Sequence, residues 1–92
     1  MEMTFNPASI TKRDARYKAE QATFQLKRSF EAAVRRYADR QLAMRYVIEE
    51  AEGLKLFPEQ TENGIYLNYR DEWGVKIVED EFGKLLFAAE SA

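Results

Sequence analysis

Residues 61–88 read TENGIYLNYRDEWGVKIVEDEFGKLLFA. Three tetrapeptides recur within them: Thr61-Glu62-Asn63-Gly64, Asp71-Glu72-Trp73-Gly74 and Asp80-Glu81-Phe82-Gly83. Each opens on a small hydrogen-bonding residue, carries Glu second and Gly fourth. Asp or Thr suits the first position of a type I turn. Gly in fourth place suits the left-handed residue that closes a three-residue hairpin with a bulge. Runs of β-formers flank these turns: Leu54–Phe57, Ile65–Arg70, Val75–Glu79 and Lys84–Ala88. The spacing predicts a four-stranded antiparallel meander over residues 54–88. One face should carry Ile65, Leu67, Tyr69, Ile77 and either Leu85 or Leu86. Trp73 and Phe82 are expected at exposed hairpin tips, where turn chemistry does not require an aromatic ring.

Upstream the pattern changes. Thr11 to Glu52 contains neither Gly nor Pro and is rich in Ala, Arg, Lys, Gln and Glu, all good helix formers. Ser9 or Thr11 can serve as N-cap, and Gly53 suits the left-handed position after the last turn, with Leu54 making the hydrophobic contact beyond it. Apolar residues at Ala15, Ala19, Ala22, Leu26, Phe30, Ala33, Tyr37, Met44, Ile48 and Ala51 step by three, four or seven and trace one helical stripe. The expected fold class is therefore α+β, one domain over residues 1–92. Residues 1–10 form a lead-in, 11–52 a long or broken helical region, and 54–88 the sheet packed on it. An unbroken helix over 11–52 would run roughly 63 Å, against ~17–20 Å for a strand of five or six residues. A break is therefore expected near Ser29 or Asp39, or else the N-terminal half projects.

Opposite the main stripe lie Arg13, Tyr17, Phe24, Arg28, Arg35, Leu42 and Tyr46. Tyr and Arg are enriched at interfaces. The candidate partner-binding residues are thus Tyr17, Phe24, Arg28 and Arg35 on the helix, with Trp73 and Phe82 on the hairpins. The blander alternative is that both sets pack inside the monomer.

Charge is divided along the chain. Residues 1–48 carry a net +5 and residues 49–92 a net −7, which suits partners of different chemistry at the two ends. The chain has no cysteine and no histidine. That removes disulfides, thiol nucleophiles, zinc fingers and imidazole acid–base chemistry. The four glycines stand singly and form no phosphate loop. Glu49-Glu50-Glu52 and Glu79-Asp80-Glu81 would need to converge in a pocket to catalyse or to hold a cation. No enzyme activity, cofactor or metal is expected. The start MEMTFNPAS lacks a basic n-region and an apolar run, so neither a signal peptide nor a membrane segment is expected, and the expected location is cytoplasmic. The basic helical residues, with Tyr17 and Phe24 to stack bases, leave direct nucleic-acid binding open.

In overall build, a helical region Thr11–Glu52 followed by a meander with TENG, DEWG and DEFG turns, the chain resembles small phage-encoded anti-CRISPR proteins. That class has no shared sequence signature, so no functional residue carries over. The resemblance implies a cofactor-free inhibitor, acting in the host cytoplasm, that binds a protein or ribonucleoprotein complex and blocks its target DNA binding. The alternative is a small phage or bacterial regulator that binds nucleic acid through the basic helical region.

Overall fold

The computed structural model describes the backbone of residues 7–91 and the side chains of residues 14–91. Two helices, α1 (Pro7–Tyr37) and α2 (Arg40–Gly53), precede four strands: β1 (Phe57–Gln60), β2 (Gly64–Tyr69), β3 (Trp73–Glu79) and β4 (Leu85–Ser91). The sheet is antiparallel throughout, in the order β1-β2-β3-β4. The fold is α+β. Helix α1 lies across β3 and β4, and α2 beside it reaches β1. Both helices lie on one face of the sheet, and among the described residues no helix covers the other.

The helical region breaks at Ala38–Asp39, the second of the two expected positions. Ala38 takes a left-handed conformation (φ 54°) while its N–H still donates to Val34 O at 2.8 Å. Asp39 is extended, and its Oδ1 accepts from the N–H groups of Gln41 (2.9 Å) and Leu42 (3.3 Å). These are two of the amides that a helix start leaves unpaired. The side chain of Asp39 is what lets α2 begin straight after the reversal, so Asp39→Ala should lower unfolding stability by about 0.5–2 kcal/mol in chemical denaturation. The 31 residues of α1 span roughly 46 Å at 1.5 Å per residue, still longer than any strand. The break also resets the helical phase. The core stripe runs through Ala15, Ala19, Ala22, Leu26 and Ala33 on α1, then through Ala43, Val47 and Ala51 on α2. Met44 and Ile48, expected on the stripe, are half-buried, and Tyr37 is exposed.

Both ends of the helical region differ from expectation. The helix takes in Pro7, so Ser9 and Thr11 lie inside it and neither is its N-cap; the residues that precede it lie outside those described. Residues 7–10 of the expected lead-in are helical. At the other end Gly53 is the last helical residue, and the left-handed position falls on Lys55 (φ 68°). Leu54 packs against the core as expected. The turn at Lys55 drops Leu56 into full burial. β1 therefore starts at Phe57, three residues later than its apolar run, because Leu54 and Leu56 serve the core from the connection.

The inner sheet face carries Ile65, Leu67 and Tyr69 on β2, Trp73, Val75 and Ile77 on β3, and Leu85, Phe87 and Ala89 on β4. The expected face is present, and Leu85 rather than Leu86 points inward. The three hairpin connections are not equivalent. At 80–83 the turn is the expected one: Gly83 has φ 81°, its N–H donates to Asp80 O at 3.0 Å, and Asp80 Oδ1 accepts from the N–H groups of Phe82 (2.9 Å) and Lys84 (2.8 Å). At 61–64 the expected left-handed glycine is not found: Gly64 has no positive φ and opens β2, the Thr61 N–H donates to Gly64 O at 2.9 Å, and the Thr61 hydroxyl finds no partner among the described residues. At 71–74 the expectation fails. The reversal sits two residues earlier, at Arg70 (φ 51°) and Asp71 (φ 61°), with the Glu72 N–H donating to Tyr69 O at 2.8 Å. Two successive positive φ values are the type I′ pattern. Asn68 holds the turn, accepting from the Asp71 N–H at 3.0 Å and donating to Asp71 Oδ1 at 2.8 Å.

That shift has a packing cause. It makes Trp73 the first residue of β3, in phase with Val75 and Ile77 on the inner face, so the largest side chain of the chain is buried. Gly74 then serves close approach, not a left-handed turn. A Cβ there would lie 2.5 Å from both the Tyr66 ring and Leu67 O.

Candidate contact surface

At 100° per residue α1 has four sides. One carries the core stripe, one faces α2, one borders β4, and the fourth faces solvent. Tyr17, Phe24, Arg28 and Arg35 follow one another by seven, four and seven residues, so all four fall on the solvent side. Tyr17 is 60% exposed and Phe24 62%. The Arg28 guanidinium stands 5.6 Å over the Phe24 ring, an arrangement that holds the two side chains side by side in water. Among the described residues neither Arg28 nor Arg35 has a carboxylate within ion-pair distance. The helical hairpin does not bury this stripe, because α2 packs against the adjoining flank.

That flank adds a feature the sequence did not single out. Ser29, Ala32, Ala33 and Arg36 of α1, with Tyr37, line a shallow concavity of about 270 Å³ against Tyr46 and Glu50 of α2. Its floor is small because two alanines stand where α1 and α2 meet. Glu50 is tied down, accepting from Ser29 Oγ at 2.9 Å and from Gln25 Nε2 at 3.0 Å. Tyr37 and Tyr46 also border a second depression with Leu42, Arg45 and Glu49. The Arg36 guanidinium lies 5.6 Å from the Tyr37 ring. The solvent side of the helical layer thus combines exposed tyrosines, one phenylalanine and several arginines. Tyr37 was hidden in the sequence because it continues the core periodicity. It is the last residue of α1 and stands 44% exposed there.

The two hairpin aromatics part company. Phe82 is 87% exposed at the β3–β4 tip, beside the start of α2, where Arg40 Nη2 meets Glu79 Oε2 at 2.9 Å. Trp73, expected as a partner contact, is 6% exposed and stacks on Tyr69 with ring centroids 4.8 Å apart. It belongs to the core and offers a partner no surface.

The carboxylates do not gather into a ligand set. Glu50 and Glu79 are engaged as above, Asp80 caps its own turn, and among the described residues no group of three is placed to hold a metal ion. The bare sheet face is acidic around Tyr66. Burial first, then the Glu90, Glu59 and Asp71 carboxylates, push the Tyr66 hydroxyl above its ordinary pKa. Tyr66 is out of phase with Ile65 and Leu67, which is the sequence signal that places it on this face. The charge division of the sequence does not coincide with the division into helices and sheet: Glu49, Glu50 and Glu52 lie on α2, while the remaining carboxylates of the acidic half lie on the strands and their turns. No described helix is long and apolar enough to cross a membrane.

No protein-family profile matches the chain, and neither a curated protein nor a solved structure shows significant similarity to it.

Proposed function

We propose that the chain acts by stoichiometric, non-enzymatic binding to a protein or ribonucleoprotein complex through the solvent side of its helical layer. One observation carries this: Tyr17 and Phe24 stand well exposed, in line with Arg28 and Arg35, on a side of α1 that the fold leaves uncovered. Tyr and Arg are the residues that dominate binding energy when an interface desolvates them. In its most specific form, taken from the anti-CRISPR resemblance, the partner is an RNA-guided nucleoprotein complex whose target DNA binding is blocked. The second reading uses the same stripe, with the arginines on phosphates and Tyr17 and Phe24 stacking bases; that neither Arg28 nor Arg35 pairs with a carboxylate among the described residues favours it.

One experiment separates the two. The tagged chain and its Arg28→Glu/Arg35→Glu variant are used to capture partners from host lysate after nuclease treatment. The first reading expects a defined complex, recovered at fixed ratio by the wild type and lost with the variant. Capture that disappears with nuclease, together with a gel shift of short nucleic acid that weakens steeply as salt rises, would favour the second.

A further inference from the structure

The two edges of the sheet are built differently. β1 has four residues and includes Pro58 and Glu59, both devices that discourage further strand pairing. β4 is the other edge. It has seven residues, LLFAAES, with no proline and one charge. Its inward residues Leu85, Phe87 and Ala89 are only half-buried, although Phe87 meets Phe30 at 5.7 Å between ring centroids. Alongside runs an apolar groove of about 270 Å³ whose walls include Phe30, Val34, Leu85 and Phe87. An open apolar edge of this length is a template for another strand.

We propose that β4 pairs antiparallel with β4 of a second copy, with Phe87 opposite Phe87 of the partner copy. The charges choose this occupant. Lys84 and Glu90 bracket the strand, are exposed, and share the outer face by alternation. They lie six residues apart, about 20 Å along a strand, so they cannot pair within one chain. Among the described residues neither has an ion-pair partner. Antiparallel pairing centred on Phe87 sets Lys84 of each copy opposite Glu90 of the other. It also sets Leu85 opposite Ala89 on the inner face and Leu86 opposite Ala88 on the outer. From Lys84 to Glu90 every opposed pair is then either apolar with apolar or of opposite charge, the condition for a stable antiparallel ladder. Because inner faces coincide, the dimer is one continuous sheet with both helical layers on the same side. It would carry the contact stripe of α1 twice, once per protomer.

Sedimentation equilibrium on the full chain, up to about 500 μM protomer, tests this. The expected result is a species of twice 10.8 kDa in reversible equilibrium with monomer. Glu90→Lys places lysine opposite Lys84 and should weaken association about tenfold or more. Lys84→Glu does the same from the other end of the strand. The double exchange Lys84→Glu/Glu90→Lys should restore the dimer, a rescue that no effect within a single chain supplies. A chain that stays monomeric over the whole range overturns the proposal and leaves the edge to a foreign strand. A dimer indifferent to both single changes, or not restored by the double, overturns it equally.

Discussion

Trp73→Ala should lower the free energy of unfolding by about 3–5 kcal/mol. Trp73 is 6% exposed, stacks on Tyr69 at 4.8 Å, and belongs to the same buried cluster as Ala15, Ala19, Ala22, Leu67 and Val75. The three alanines make the size of the effect intelligible. They bring the backbone of α1 close to the sheet, and their own methyl groups fill little of the space beneath. The indole supplies the apolar surface that the small residues do not. Removing it opens a cavity that a helix and a hairpin, both held by backbone hydrogen bonds, can only partly close. Against a total stability of about 5–15 kcal/mol for a domain, the loss approaches the limit of folding. Phe82→Ser is the control. It removes an aromatic ring from a formally similar tetrapeptide, but at 87% exposure its effect should stay within about 0.5 kcal/mol. Equal effects of the two changes in urea denaturation would contradict the placement of Trp73 in the core.

The contrast between those tetrapeptides shows where the sequence is legible. In DEFG the local chemistry and the global packing agree: Asp80 caps, Gly83 is left-handed, and Phe82 has no inner-face neighbour to reach. In DEWG they disagree. Turn chemistry favours a reversal at 71–74, but burying the indole rewards the register that begins β3 at residue 73. Tertiary packing wins, because a slip that puts Trp73, Val75 and Ile77 outside would expose the middle of the core. The same conflict moved β1. Leu54 to Phe57 has the composition of a strand, yet Leu54 and Leu56 are worth more as plugs beneath α2 than as ladder residues. The sequence left the helix break open between Ser29, which has the N-cap type but lies inside α1, and Asp39, where it falls; Ala38 was not legible, since nothing about an alanine announces a left-handed conformation. Helix periodicity alone put Tyr17, Phe24, Arg28 and Arg35 on one stripe away from the core, and they are found there. The concavity between Tyr37 and Tyr46 needed the hairpin geometry, which no single-helix projection contains.

The second large effect concerns function. Tyr17→Ser/Phe24→Ser removes two rings from the solvent side of α1 without touching the core stripe. The altered residues make no contact that the sheet depends on, so unfolding stability should change by no more than a few tenths of a kcal/mol per site beyond the modest helix propensity of serine. Partner affinity should fall far more. Exposed rings become the centre of an interface when a partner excludes water from them, and the loss of such anchors is felt mainly in dissociation. Phe24→Ser also frees Arg28 from the ring beneath it, so a charge contact made by that guanidinium loses its orientation at the same time.

In the proposed function the chain works through this stripe, and not through its hairpin aromatics or a pocket. It is tested most directly by titration calorimetry of the captured partner against wild-type protein and the Tyr17→Ser/Phe24→Ser variant, with the melting temperature of each recorded alongside. The expected result is one binding event per protomer at fixed ratio, a melting temperature close to that of the wild type, and affinity reduced more than tenfold, about 1.4 kcal/mol or more. Equal affinities for wild type and an intact variant would rule the stripe out as the binding surface.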